Sequence, residues 1–126
     1  MSQYDYNIIA IGGGAAGLVS SYIAATVNAK VALIEKHKMG GDCLNTGCVP
    51  SKALIRAAKL AHEVTRASEF GLTVAPATVD FAAVMDRVAE AVQGVAPHDS
   101  VERYTALGVD VRTGHIVGAE ALLRWQ

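Results

Sequence analysis

Only two cysteines, Cys43 and Cys48, occur in the 126 residues. With four residues between them and no sign of export, they argue against a structural staple and for catalytic or metal-binding work. Positive charge is not in excess either. Eleven Lys and Arg against twelve Asp and Glu leave a formal net charge of −1, and the basic residues are spread along the chain, so no basic footprint favours nucleic acid or an anionic membrane as a partner. No apolar run approaches the ~18 residues that a membrane span needs. The start, Met1-Ser2-Gln3-Tyr4-Asp5, lacks the basic-then-apolar pattern of a signal peptide, so the expected compartment is the cytoplasm. Internal repeats and low-complexity segments are absent, and the four histidines, His37, His62, His98 and His115, are scattered.

What is present is enough apolar material, 52% of residues, to fill the core of one domain. Tyr4 to Ile11 is β-branched and aromatic, ends in Ile8-Ile9-Ala10-Ile11 and stops at three glycines, which predicts a strand buried on both faces. Gly17 to Val27 reads as a helix rich in small residues and Lys30 to Glu35 as a second apolar strand. Together they form a βαβ unit whose strands should be parallel. Residues 36–42 read as a polar, Gly-rich loop. A helix is predicted from Ser51, with Leu54, Ala57, Ala58, Ala61 and Val64 as its buried stripe, broken at Phe70-Gly71-Leu72 and Pro76. Asp80 is the expected N-cap of a further helix with Phe81, Val84, Val88, Val92 and Val95 inward and Pro97 at its end. Val101 to Leu107 reads as a short helical piece, Val109 to Thr113 as a half-buried strand, and Gly114 and Gly118 as the bracket of a turn; the tail from Ala119 has no clear periodicity.

Gly12-Gly13-Gly14-Ala15-Ala16-Gly17 matches G-x-G-x-x-G through Gly12, Gly14 and Gly17. The first glycine serves a tight turn, the second the close approach of backbone to a pyrophosphate, and the third the contact of helix with strand. Free amides and the dipole at the helix N-terminus favour the anion. The motif follows a predicted strand, opens a predicted helix, and is answered by Glu35 at the end of the next strand, where a carboxylate can accept hydrogen bonds from ribose hydroxyls. A glutamate there disfavours a 2′-phosphate, so this unit should take FAD or NAD rather than NADP.

The cysteines lie in Gly40-Gly41-Asp42-Cys43-Leu44-Asn45-Thr46-Gly47-Cys48-Val49-Pro50-Ser51-Lys52. Two thiols so close, with Gly47 between them, can close a small disulfide ring. The helix beginning after Cys48 and the cation Lys52 would both favour a thiolate there. Zinc held by Cys43, Cys48, His37 and His62 is the rival, although the spacing departs from the paired C-x-x-C of structural zinc sites.

Taken together, Gly12 to Gly17, Glu35 and the stretch from Gly41 to Lys52 resemble the N-terminal FAD-binding region of the flavin-dependent pyridine nucleotide-disulfide oxidoreductases. Dihydrolipoamide dehydrogenase, glutathione reductase and mercuric reductase belong to that family. Ser51-Lys52 favours the dihydrolipoamide dehydrogenase and mercuric reductase branches. The resemblance covers residues 4 to about 113 and implies an α/β, Rossmann-like FAD-binding domain with an incomplete parallel sheet, 1–126 being its N-terminal part. It implies that Gly12, Gly14 and Gly17, with Ala15 and Ala16, hold the FAD pyrophosphate, that Glu35 holds the ribose, and that Lys36, Gly41 and Asp42 also line the cofactor. Cys48 would contact the flavin ring, Cys43 would exchange with the substrate disulfide, and Lys52 would lie beside the flavin and tune it. The parent enzyme would use NAD(P)H and a small-molecule disulfide or metal-ion acceptor as a homodimer, with no nucleic acid, membrane or resident metal, while this chain by itself would be inactive or nearly so. Two departures stand out. Many members have Thr where this chain has Asp42, and members are several times longer. Two other expectations compete: a stand-alone FAD- or nucleotide-binding module working with a partner chain, and a zinc-binding interaction domain.

Overall fold

The computed structural model describes residues 4–117; the turn expected at Gly118 and the tail lie outside them. Two compact units divide the chain. One comprises the residues up to Gly41 with those from Ala96 onward, and the other Asp42–Val95.

The first unit is built on a parallel sheet of order β1-β2-β3, with β1 at Ile8–Ile11, β2 at Val31–Glu35 and β3 at Val109–Thr113. Ile8 registers with Val31 and Val31 with Val109. The expected α/β class with a parallel sheet is what forms. Helix α1 (Ala15–Thr26) connects β1 to β2, and α5 (Val101–Ala106) leads into β3. Leu18 and Ala24 of α1 meet Val31 and Leu33 of β2, Tyr104 of α5 and Val109 of β3 in one core cluster. The apolar run Val31-Ala32-Leu33-Ile34 of β2 suits its central place, where every residue of the strand is buried. Just ahead of β1 the Tyr6 hydroxyl donates to Asp110 Oδ2 on β3, and Arg112 of that same strand grips both Asp110 oxygens at 2.8–3.1 Å.

One expectation fails here. The first strand is shorter than Tyr4 to Ile11 and is not buried on both faces, since Ile8 and Ile9 are 41% exposed and Ile11 65%. It is an edge strand with one neighbour, and an apolar run does not say whether its strand sits at the centre of a sheet or at its edge.

Ser21 is the core's one flaw among the described residues. It is fully buried on α1, and its hydroxyl finds no hydrogen-bond partner. A buried hydroxyl without a partner costs free energy that a methyl does not, and alanine is the better helix former. Ser21→Ala is therefore expected to stabilise the chain by about 1 kcal/mol in urea unfolding. Destabilisation of that size would show that the hydroxyl has a partner after all.

In the second unit, short helix α2 (Gly41–Asn45, beginning at the unit's border) precedes α3 (Cys48–Thr65), and α4 (Phe81–Val95) packs against α3. The Asp80 cap forms, with the Ala83 amide donating to Asp80 Oδ1 at 3.1 Å. Val88 is buried, and Val84, Val92 and Val95 are half-buried as expected, but Phe81 is 64% exposed. It is the first residue of the helix. The stripe on α3 is shallower than its spacing suggested. Ala57, Ala61 and Val64 are half-buried, Leu54 and Ala58 are exposed, and no α3 residue is buried outright. A single facing helix covers only part of an apolar stripe. The loop expected at 36–42 is cut short by α2, and α3 begins at Cys48 rather than Ser51. Pro50 fits because the first helical turn needs no amide donor there. Among the described residues no helix is long and apolar enough to cross a membrane.

Candidate functional site

The glycine turn belongs wholly to the first unit. After Ile11 the chain turns at Gly12, whose φ of +103° suits glycine, while its amide donates to the Ile34 carbonyl at 2.7 Å. Gly14 is the N-cap of α1, and no side chain bonds to the first-turn amides, which Ala15 and Ala16 open. Gly17 presses against the turn: a Cβ there would stand 1.9 Å from the Gly12 carbonyl oxygen. Gly41, at φ +54°, would place a Cβ 2.6 Å from the Gly14 Cα. Gly14 differs from both. The nearest atom to a Cβ there is the Gly41 Cα at 3.9 Å, so the fold itself has no need of a glycine at Gly14. Space free of side chains above uncapped helix amides is what a pyrophosphate cradle requires, and on that observation the residues fit a dinucleotide.

Glu35 closes β2 at 8% exposure. Its Oε2 accepts from the Gly13 amide at 2.5 Å and its Oε1 from the His37 amide at 2.7 Å. Burial pushes the carboxyl pKa up, but the amides of Gly13, His37 and Lys36 outweigh it and hold the group below the usual glutamate range. Both oxygens keep further lone-pair capacity for a diol. Met39 and Gly40 fasten the following loop to the turn, with Gly40 donating to the Gly13 carbonyl at 2.8 Å and Met39 packed on the core. An open concavity of about 340 Å³ lies at the carboxyl ends of the three strands, lined by Ile11, Glu35, Lys36, His115 and Ile116 among others. That is where parallel α/β sheets take ligands. Met39, His115 and Ile116 carry no motif; His115 and Ile116 could have been found only from their place just after a parallel strand.

The dithiol belongs to the second unit. The Asp42 carbonyl accepts from the amides of Thr46 at 2.9 Å and Gly47 at 2.5 Å, which folds the chain between the cysteines into a tight turn. A Cβ at Gly47 would lie 2.9 Å from that same carbonyl oxygen. The turn brings the side chains together: the two thiols share a side-chain hydrogen bond, and the Cys48 backbone amide donates to the Cys43 sulfur. The thiol of Cys43 is held above its ordinary pKa by the side-chain bond to Cys48 and then by burial, against a smaller opposite pull from Lys52. Cys43 is half-buried and Cys48 exposed, both free thiols. Cys48 is the first residue of α3, and Lys52 follows one turn later, exposed; Asp42 is also exposed. Among the described residues no three His, Cys, Asp or Glu side chains are gathered as a metal ion would need, so nothing there supports the zinc alternative. The pair can open and close as a dithiol and disulfide.

Known proteins agree with this chemistry. Residues 6–121 match the family described as pyridine nucleotide-disulphide oxidoreductase. The dihydrolipoyl dehydrogenase of Bacillus subtilis is 35% identical over 111 residues, 82% of this chain and 23% of that protein. The mercuric reductase of Bacillus cereus is 45% identical over 80 residues, 64% of this chain and 13% of that one. LpdA from Mycobacterium tuberculosis superposes with a TM-score of 0.74 at 26% identity, covering 89% of this chain and 25% of that one. The chain thus spans a quarter or less of the length of each of these three relatives. Family members of this kind use FAD and NAD(P)H. By sequence, by fold and by its glycine turn and paired thiols, this chain belongs to the pyridine nucleotide-disulphide oxidoreductases.

Proposed function

We propose that the chain is the N-terminal part, residues 1–126, of the FAD-binding domain of a dihydrolipoamide dehydrogenase-like or mercuric reductase-like enzyme. In that enzyme the Cys43 and Cys48 dithiol would be alternately oxidised and reduced. FAD, when bound, supplies two-electron exchange with the dithiol on one side and a nicotinamide on the other. The first unit's residues do the holding: the turn at Gly12 and Gly14 and the α1 amides at Ala15, Ala16 and Gly17 receive the pyrophosphate, and Glu35 accepts from the ribose, with Lys36 and Gly41 at the rim. In the second unit Cys48 and Lys52 are the residues assigned to the flavin, and Cys43 is assigned to exchange with substrate. Asp42 carries an exposed carboxylate, a poor partner for a phosphate, and its part is confined to the carbonyl that shapes the turn. NAD(P)H as co-substrate, a small-molecule disulfide or metal ion as acceptor, a homodimeric whole enzyme and a cytoplasmic location complete the reading; the family description supports the first and the names of the relatives the second.

The observation that carries the reading is Gly14, a glycine the protein's own packing does not require. Titrating the purified chain with FAD, followed by flavin absorption and fluorescence, tests it. The expected result is saturable binding to the wild-type chain and binding at least about tenfold weaker to Gly14→Ala, because a methyl there stands between backbone and pyrophosphate. The urea midpoint of the variant should be unchanged. Equal affinity of both forms, or no binding to the wild type, would refute the cradle.

A further inference from the structure

From Asn7 to Ala29 the chain carries no charged side chain, although this stretch holds the edge strand β1 and the whole of α1. Natural edge strands are blunted by charge, proline or a bulge, and Ile8–Ile11 has none of these, its register with β2 running unbroken. Among the described residues β2 is its one neighbour. The amides of Ile8 and Gly12 donate toward β2, to the Lys30 and Ile34 carbonyls, so by the alternation of a strand the amides and carbonyls of Ile9 and Ile11 point outward from the sheet. Ala10 packs on the core beneath α1, which places the Ile9 and Ile11 side chains on the opposite face, and both are exposed. On the α1 side, Val19, Tyr22, Ile23 and Val27 recur at helical spacing as an exposed apolar stripe, apart from the buried Leu18, Ser21 and Ala24.

We propose that this face binds a second copy of the 126-residue chain in a non-covalent dimer: β1 pairs antiparallel with the partner's β1 about a two-fold axis through Ala10, and the two α1 helices lie side by side across that axis. The inference goes beyond the proposed function, needs no cofactor, and is separate from the homodimer proposed for the whole enzyme. In this register Ile9 exchanges hydrogen bonds with the partner's Ile11, and Ile11 with the partner's Ile9. The same residues serve on both sides, as an isologous contact requires. Ala10 meets its own copy as a non-hydrogen-bonded pair, where Cα atoms stand about 4.5 Å apart and a methyl fits. The helices match this spacing. Because α1 packs on both β1 and β2, its axis lies roughly half a strand spacing inward of β1; adding one strand spacing of about 4.8 Å sets the two α1 axes about 10 Å apart, the distance of packed helices. Val19, Tyr22, Ile23 and Val27 then fill the seam between them. With the three exposed isoleucines of β1 these side chains offer an apolar face on the order of 700 Å² per copy, close to the ~800 Å² per partner of a stable standard-size interface.

Sedimentation equilibrium of the purified, reduced chain provides the test and needs no variant to fold. At about 100 μM, well above the micromolar limit of standard-size interfaces, the wild type should sediment at twice its 13.1 kDa. Ile9→Lys and Ile23→Lys each set like charges close to the axis at a side chain already exposed, so each should dissociate at least about tenfold more readily with the circular dichroism of the wild type. The register is checked by cross-linking in a Cys43→Ser, Cys48→Ser background. Ala10→Cys should yield a disulfide-linked dimer on mild oxidation, its Cα separation of about 4.5 Å lying within disulfide range, whereas Ile8→Cys, four residues from its own copy and so about 13 Å away, should yield none. A wild type that stays at 13.1 kDa would overturn the inference and leave the edge to a strand of another polypeptide. Open-ended assembly beyond the dimer, a dimer as tight in both lysine variants as in the wild type, or cross-linking through Ile8→Cys in preference to Ala10→Cys would overturn it as well.

Discussion

Gly17→Ala is expected to cost about 3 kcal/mol or more of stability, the top of the usual range for overpacking, and to leave much of the chain unfolded if the total is typical, about 5–15 kcal/mol. The new Cβ would lie 1.9 Å from the Gly12 carbonyl oxygen and 3.1 Å from its carbon, both backbone atoms that no rotamer change can move. Relief requires α1 to lift from the turn. Lifting α1 carries Leu18 and Ala24 away from Val31, Leu33, Tyr104 and Val109, so a local clash becomes a loss of core. Urea unfolding followed by circular dichroism measures it. Gly14→Ala is the control, three residues away in the same motif, where the nearest atom is 3.9 Å distant and stability should stay within about 0.5 kcal/mol. Equal destabilisation by the two substitutions would contradict the division of the motif into one glycine for packing and one for the ligand.

Glu35→Gln is expected to lose about 2 kcal/mol at neutral pH, the scale of hydrogen bonds to a charged acceptor. The carboxylate accepts from two backbone amides through two different oxygens, and a glutamine can present an oxygen to only one while turning its own NH₂ toward the other. The pH dependence carries the sign. The folded-state pKa is depressed, so the unfolded state binds the proton more tightly, and the carboxylate's contribution is present in full above the unfolded value of about 4.3. It is lost as pH falls through the lower folded value. The gap between wild type and Glu35→Gln should therefore be widest near neutrality and shrink below about pH 4. A gap independent of pH between 3 and 7 would mean that the ionised form is not what the amides hold.

The sequence made the glycine turn and the placing of Glu35 legible because their parts are constrained by chirality and by close approach. Glycines at fixed offsets between a strand and a helix, with an acidic residue ending the next strand, leave few alternative folds, and Gly12, Gly17 and Glu35 all stand where the motif implies. The Asp80 cap was legible for a similar reason, being a local bond between neighbours. What escaped depended on partners far away in the chain. The exposure of Ile8, Ile9 and Ile11 follows from which strand lies beside β1, and that of Leu54 from how much of α3 its one neighbour covers. His115 and Ile116 join the concavity only because β3 pairs with β2 and ends beside Glu35, where the Gly114 amide donates to the Glu35 carbonyl at 2.9 Å. The start of α3 at Cys48 was also missed. Reading it from Ser51 put both sulfurs outside the helix, whereas the observed start gives the two thiols different environments.

The central claim is that Cys43 and Cys48 form one reversible redox couple, and intact-mass analysis of the chain before and after mild oxidation tests it most directly. The account predicts a monomeric product lighter by two hydrogens, resistant to alkylation at both cysteines, and returned to two alkylatable thiols by a small dithiol. Persistence of two free thiols after oxidation, or disulfides formed only between chains, would contradict it.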